Sequence, residues 1–242
     1  MRLIVVALLF LSISSFAQKK KKDEAPLLQE TAEWFEGSIL LNDGSELEGL
    51  IKYNDNNGVL SFQDGTDSRV FTSSRVSGFE FFDESHQKQR IFYSFPYEDS
   101  QTGVERPFFF ELIRDYKTFA VLSRVEQLDL SQETYSTPQP MGWSSSTRLV
   151  VSQTETIFLM SSDGEIKPYI KIVSKEDDKV NLATGKDLKT TQKMLDEDLL
   201  IEFITEPGYK KLTDFAKQND LKFKRKEDFL KILEYYDTLI AE

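Results

Sequence analysis

Between Trp34 and Val173 the chain repeats one pattern: short runs of alternating apolar and polar residues, each closed by a turn signal. A period of two sends successive side chains to opposite faces of an extended backbone. The pattern therefore suits a pleated strand with one buried face. The run Trp34-Phe35-Glu36-Gly37-Ser38-Ile39-Leu40-Leu41 meets Asn42-Asp43-Gly44, a strong hairpin signal because these residues tolerate positive φ. The return from Leu47 to Tyr53 puts Leu47, Ile51 and Tyr53 on one face, with Gly49 among them. Gly37 and Gly49 lie inside strands, where a missing side chain permits bending or close backbone approach. Trp34 opens an alternating strand and is expected in the core. Residues 59–63 and 69–72 form a second hairpin about Asp64-Gly65, and 75–82 and 90–95 add two strands.

A second β segment follows, with 107–114 and 118–128 flanking Asp115-Tyr116-Lys117. Pro138, Pro140, Gly142 and many serines and threonines predict a flexible loop over 131–146. Strands resume at 148–151, 156–160 and 166–173, the last pair turning at Ser162-Asp163-Gly164. The 19 phenylalanines, mostly in alternating segments, suit the inner faces of pleated strands. After about residue 185 the period lengthens. A helix is expected over 194–204 with Asp196 as N-cap, interrupted by Pro207-Gly208, and a second one ends near Asn219. In 227–240, Phe229, Ile232, Leu233, Tyr236, Leu239 and Ile240 form a stripe at helical spacing. The expected fold is α+β: mainly antiparallel β, as a barrel or sandwich, with a C-terminal helical segment. Residues 32–184 form the β-rich domain, and 185–242 form the helical segment packed on it.

The first residues point to a compartment. Arg2, the apolar run Leu3 to Leu11, and the small residues Ser15 and Ala17 match a cleavable export signal over 1–17. The apolar run is short of the roughly 20 residues a membrane span needs. A solvated, disordered basic and acidic tail, 18–31, is expected to follow, with Lys19 to Lys22 beside Asp23 and Glu24. The mature protein is expected to be periplasmic or extracellular, with no transmembrane segment. The chain has no cysteine, so no lipid anchor, disulfide or thiolate site is expected. Its 30 Lys and Arg against 41 Asp and Glu give a formal charge of −11. Loss of Arg2 makes the mature chain more negative still. That balance argues against nucleic acid, whose phosphates need clustered cations.

The stretch Gly37-Ser38-Ile39-Leu40-Leu41-Asn42-Asp43-Gly44-Ser45-Glu46-Leu47-Glu48-Gly49-Leu50-Ile51 resembles the hairpin of small SH3-like and Sm-like barrels. It covers about one strand pair and implies a strongly bent β unit. A wider set resembles a family of exported, signal-peptide-bearing proteins of Bacteroidota-type bacteria. It comprises the Trp34 to Tyr53 opening, the Phe109–Arg124 hairpin, the Ile157–Ile172 hairpin, and Leu221-Lys222-Phe223 through the Tyr235-Tyr236 ending. That resemblance implies export and this architecture, and no activity.

Catalytic chemistry has few carriers. The single histidine, His86, sits in the polar turn Asp83-Glu84-Ser85-His86-Gln87-Lys88 and reads as an exposed loop residue. Zinc normally needs several His or Cys ligands. No Gly-x-Ser-x-Gly, P-loop or Gly-x-Gly-x-x-Gly occurs, so neither a metal nor a cofactor is expected. Asn54-Asp55-Asn56-Asn57-Gly58 is rich in oxygen but misses the EF-hand spacing. Asp43, Asp64 and Asp163 each precede a glycine and read as turn residues, and Asp196, Glu197 and Asp198 read as a helix start. Trp143, an indole in the 131–146 stretch, is the one candidate ligand-binding residue, for a sugar or peptide. The expected function is a non-enzymatic binding or accessory protein of the cell envelope, its partner an envelope protein or glycan. The alternatives are a carboxylate-dependent hydrolase of an envelope glycan and a periplasmic carrier of an apolar ligand.

Overall fold

The computed structural model describes residues 33–98, 103–139, 142–181 and 185–240; the expected leader and the whole of the expected tail lie outside them. Among the described residues eleven strands form one antiparallel sheet. They are β1 (Phe35–Leu41), β2 (Glu46–Asn54), β3 (Val59–Asp64), β4 (Asp67–Phe71), β5 (Val76–Asp83) and β6 (Lys88–Glu98). β7 (Glu105–Asp115), β8 (Phe119–Gln139), β9 (Gly142–Ser161), β10 (Ile166–Asn181) and β11 (Gly185–Met194) complete it. The order is β11-β10-β9-β8-β7-β6-β5-β1-β2-β3-β4. Two meanders thus share β1, which pairs with β2 on one side and β5 on the other.

The sheet curls tightly at its N-terminal end. Tyr53 of β2 and Phe109 of β7 have ring centroids 5.8 Å apart, although four strand spacings separate them in the sheet order. Those spacings would amount to about 19 Å if the sheet were flat. Inside the curl Phe79 and Phe92 stack at 4.5 Å, and Tyr53 tilts against both. Ile39, Ile51, Leu60 and Val76 fill the same interior. Two glycines make the bend feasible. A Cβ at Gly37 would strike the Glu80 carbonyl oxygen and the Phe81 side chain, and one at Gly49 would stand 2.6 Å from the Gln63 carbonyl oxygen. The ladder nevertheless ends at β4 and β11. The architecture is therefore the expected α+β one, mainly antiparallel β with a C-terminal helical segment, and its barrel-like curl does not close.

The C-terminal half of the sheet is flanked by α1 (Leu199–Phe203), α2 (Glu206–Gln218) and α3 (Lys226–Ile240). Phe229, Ile232 and Leu233 of α3 are buried against Val121, Ile157, Leu159 and Ile172, as the helical stripe required. Tyr169 and Ile170, adjacent in β10, both join this core. The register shift between Pro168 and Ile170 permits it, because a bulge turns two consecutive side chains to one face.

Several expectations are corrected. The 185–242 segment is not wholly helical, since β11 occupies its start and α1 is a single turn. Pro207 does not end a helix; it lies in the first turn of α2, where a missing N–H costs nothing. Asp198 rather than Asp196 is the N-cap of α1; Asp196 stands two residues earlier, its Oδ1 accepting the N–H groups of Asp198 and Leu199 at 3.0 and 3.2 Å. Trp34 precedes β1 and is 40% exposed; Phe35 and Ile39 carry the inward parity instead. Finally, the described part of the expected loop, 131–139 and 142–146, is strand. β8 and β9 pair from Asp129↔Ser152 to Gln139↔Gly142 as a ribbon. Its Thr134↔Thr147, Tyr135↔Ser146 and Ser136↔Ser145 partners are polar on both faces, so no hydrophobic alternation advertised it.

If Gly37 carries the curl, Gly37→Ala lowers the unfolding free energy by roughly 1–3 kcal/mol through overpacking. Ser38→Ala on the neighbouring position stays within about 0.5 kcal/mol. Urea denaturation of both variants checks this, and equal effects would contradict it.

Candidate functional site

The curl brings the β2–β3 turn over the middle of the sheet, and a chain of charges forms beneath it. Arg90 of β6 donates to both Asp55 oxygens at 3.1 and 3.3 Å and to Glu111 of β7 at 2.7 Å. Lys88 reaches the other Glu111 oxygen at 2.8 Å. The Arg90 guanidinium also lies over the Phe92 ring at 4.8 Å. Farther along, Gln153 of β9 donates to Asn56 at 2.7 Å. Glu155 accepts from Ser123 and from Lys226 of α3, both at 2.6 Å. Burial would raise the Glu111 carboxyl, but Arg90 and Lys88 outweigh it and hold the group below its ordinary range. Burial pushes Asp55 up, and Arg90 only partly offsets it while Glu111 and Glu155 add to the rise. Each carboxylate here is tied to a cation, so the network works as a clamp between β2–β3, the sheet and α3.

The residues singled out from sequence fall mostly into turns. Asp83, Ser85 and His86 do come together, with His86 Nδ1 at 2.9 Å from both Ser85 Oγ and Asp83 Oδ2. A nucleophile relay needs the serine on one ring nitrogen and the carboxylate on the other. Here both meet Nδ1, and the Ser85 hydroxyl donates a hydrogen bond to Asp83 Oδ1 at 2.6 Å. The trio closes the β5–β6 turn. Burial would raise the Asp83 carboxyl, and the bonds from Ser85 and His86 more than reverse it. In the oxygen-rich turn, Asn54 Oδ1 accepts from the Asn56 N–H and Asn57 Oδ1 from the Val59 N–H. Asp55 and Asn56 serve Arg90 and Gln153, so those oxygens are committed to protein donors. Among the described residues no cluster of His, Asp or Glu is arranged to hold a metal ion. Asp43 accepts from Ser45, and Gly44, Gly65 and Gly164 have the positive φ their turns require. The Trp143 backbone pairs with Pro138 near the ribbon end, away from the grooves described next.

Two grooves were not foreseen. The first, about 820 Å³, crosses the outward face of β1, β2 and β5. Glu36, Glu48 and Glu80 line it with Phe82 and Leu50, which are 45% and 37% exposed. The second, about 500 Å³, lies between the end of β11, α2 and the α2–α3 link. Both were readable in principle. The outward positions of β1 and β2 hold Glu36, Glu46 and Glu48, the complement of the inward set used to find the core. Likewise the run Lys222-Phe223-Lys224 alternates cation and ring. Among the described residues no helix is long and apolar enough to cross a membrane. No family model, curated protein or solved structure matches the chain.

The clamp has a pH signature. The raised Asp55 value means the folded protein binds that proton more tightly than the unfolded chain. Its penalty at neutral pH therefore disappears as pH falls toward about 3.9, the ordinary Asp value. Relative to Asp55→Asn, the parent gains stability on acidification from pH 7 toward pH 4. Thermal unfolding across that range reads the difference; a constant gap between the two proteins would contradict it.

Proposed function

We propose that this is an exported, non-enzymatic binding module of a bacterial cell envelope, with the groove across β1, β2 and β5 as its recognition surface. The observation carrying the reading is the composition of that outward face. Leu40, Leu50 and Phe82 are exposed between Glu36, Glu46, Glu48 and Glu80, so apolar seats alternate with carboxylates. Charge complementarity selects an extended partner segment in which lysines or arginines alternate with apolar residues. The leader over 1–17 and the likeness to exported Bacteroidota-type proteins support the compartment. The curl of β1 to β5, with β5 returning to β1, supports the likeness to SH3-like and Sm-like units.

The hydrolase reading has one observation in its favour. Glu48 and Glu80 both stand opposite Ser38, two strand spacings or about 10 Å apart at the backbone, near the separation of an inverting pair. Both side chains are exposed, whereas the acid of such a pair works in a low-dielectric setting. An apolar carrier would need room where Phe79, Phe81 and Phe92 stack.

A synthetic peptide alternating lysine and leucine tests the surface. The mature protein binds it saturably, salt weakens the complex, and Glu48→Lys with Glu80→Lys weakens it at least tenfold. No saturable binding, or binding indifferent to the double variant, would sink the reading. Turnover of an envelope glycan lost in Glu48→Gln would establish the hydrolase instead.

A further inference from the structure

The groove beside β11 has the opposite chemistry. Gln192 and Lys193 of β11 form one wall, Tyr209 of α2 another, and Lys222, Phe223 and Lys224 of the α2–α3 link a third. Lys193, Lys222 and Lys224 are exposed, and their ammonium groups have no carboxylate partner among the described residues. Among the described residues Glu197 is the single carboxylate lining the groove. Convergence of free ammonium groups on one concavity costs repulsion that an anionic ligand would remove.

The rings supply the second half of the chemistry. Tyr209 and Phe223 lie 6.0 Å apart at centroids and 33° from parallel; both are half-buried against the helical core and both line the groove. The link that carries Phe223 is fixed at both ends. The Lys222 N–H donates to Asp228 at 3.1 Å, and the Lys226 N–H donates to Gln192 at 2.7 Å. The site is therefore built before a ligand arrives, which limits the ordering cost of binding.

We infer that this groove binds an anionic glycan segment. The C–H face of a sugar ring packs on Tyr209 and Phe223, its hydroxyls reach Gln192, and its acidic groups meet Lys193, Lys222 and Lys224. A volume of about 500 Å³ suits a small-ligand or short oligomer site. A free inorganic anion would use the lysines and leave the rings idle. A peptide of acidic residues alone would likewise leave the rings idle. This site stands apart from the one proposed across β1, β2 and β5, and its failure would leave that proposal untouched.

The probe is a tetrameric oligogalacturonate, titrated calorimetrically into the mature protein beside its methyl-esterified form, inorganic phosphate and a glutamate-rich peptide. The charged oligosaccharide binds at least tenfold more tightly than each of the other three. Lys222→Ala with Lys224→Ala weakens it at least tenfold, Glu197→Gln tightens it about twofold to threefold, and Lys210→Ala, outside the groove, leaves it unchanged. Circular dichroism of the variants matches the parent. The proposal is overturned if the charged oligosaccharide does not bind, or if the lysine variants bind it as the parent does. Equal or tighter binding of the esterified form, phosphate or the peptide overturns it too.

Discussion

The structure rests on how an eleven-stranded sheet hides one face. A flat antiparallel sheet of this width would leave its N-terminal strands with an apolar face open to water. Curling lets that face bury itself, with the rings of Tyr53, Phe79, Phe92 and Phe109 meeting across the bend. The bend in turn demands backbone contact closer than a side chain allows, which Gly37 and Gly49 provide. Rings and glycines are one device: the rings supply the gain from burial, and the glycines remove the steric obstacle to collecting it.

The remaining architecture follows from this bend. Strands beyond β7 leave the curl, so their two faces must be covered by other means. Helices take one face, aided by the bulge that turns Tyr169 and Ile170 together into the helical core. Phe110 and Phe158 pack edge to face on the other. The polar clamp of Asp55, Arg90 and Glu111 sits where the curled turn lands on the sheet, and Glu155 with Lys226 continues it to α3. Such partly buried ion pairs add little net stability, because desolvation offsets much of their attraction. Outward faces, freed from packing duty, differ sharply in charge between the acidic groove at one end and the cationic groove at the other.

Much of this was legible in the residues. The alternation located nearly every strand of the first half, and the placement of Leu47, Ile51 and Tyr53 on one face is borne out in the core. The stripe at Phe229, Ile232 and Leu233 located α3 and its buried side. The failures share a cause. Periodicity reveals a strand only when one face is apolar, so the polar ribbon of β8 and β9 read as a loop, and β11 was absorbed into the helical segment. Parity rather than ring size decided Trp34, which stands outside while Phe35 turns in. The grooves depend on which strands become neighbours, information carried by long-range pairing such as β1 with β5 and absent from any local window.

The curl is tested most directly by coupling across it. Tyr53 and Phe109 are far apart in strand order and touch only because the sheet bends. A double-mutant cycle of Tyr53→Leu and Phe109→Leu, read by chemical denaturation, should give a coupling energy of about 0.5–1.5 kcal/mol, as for other aromatic pairs. Strict additivity of the two substitutions would mean that the rings do not meet and that the sheet is not curled in this way.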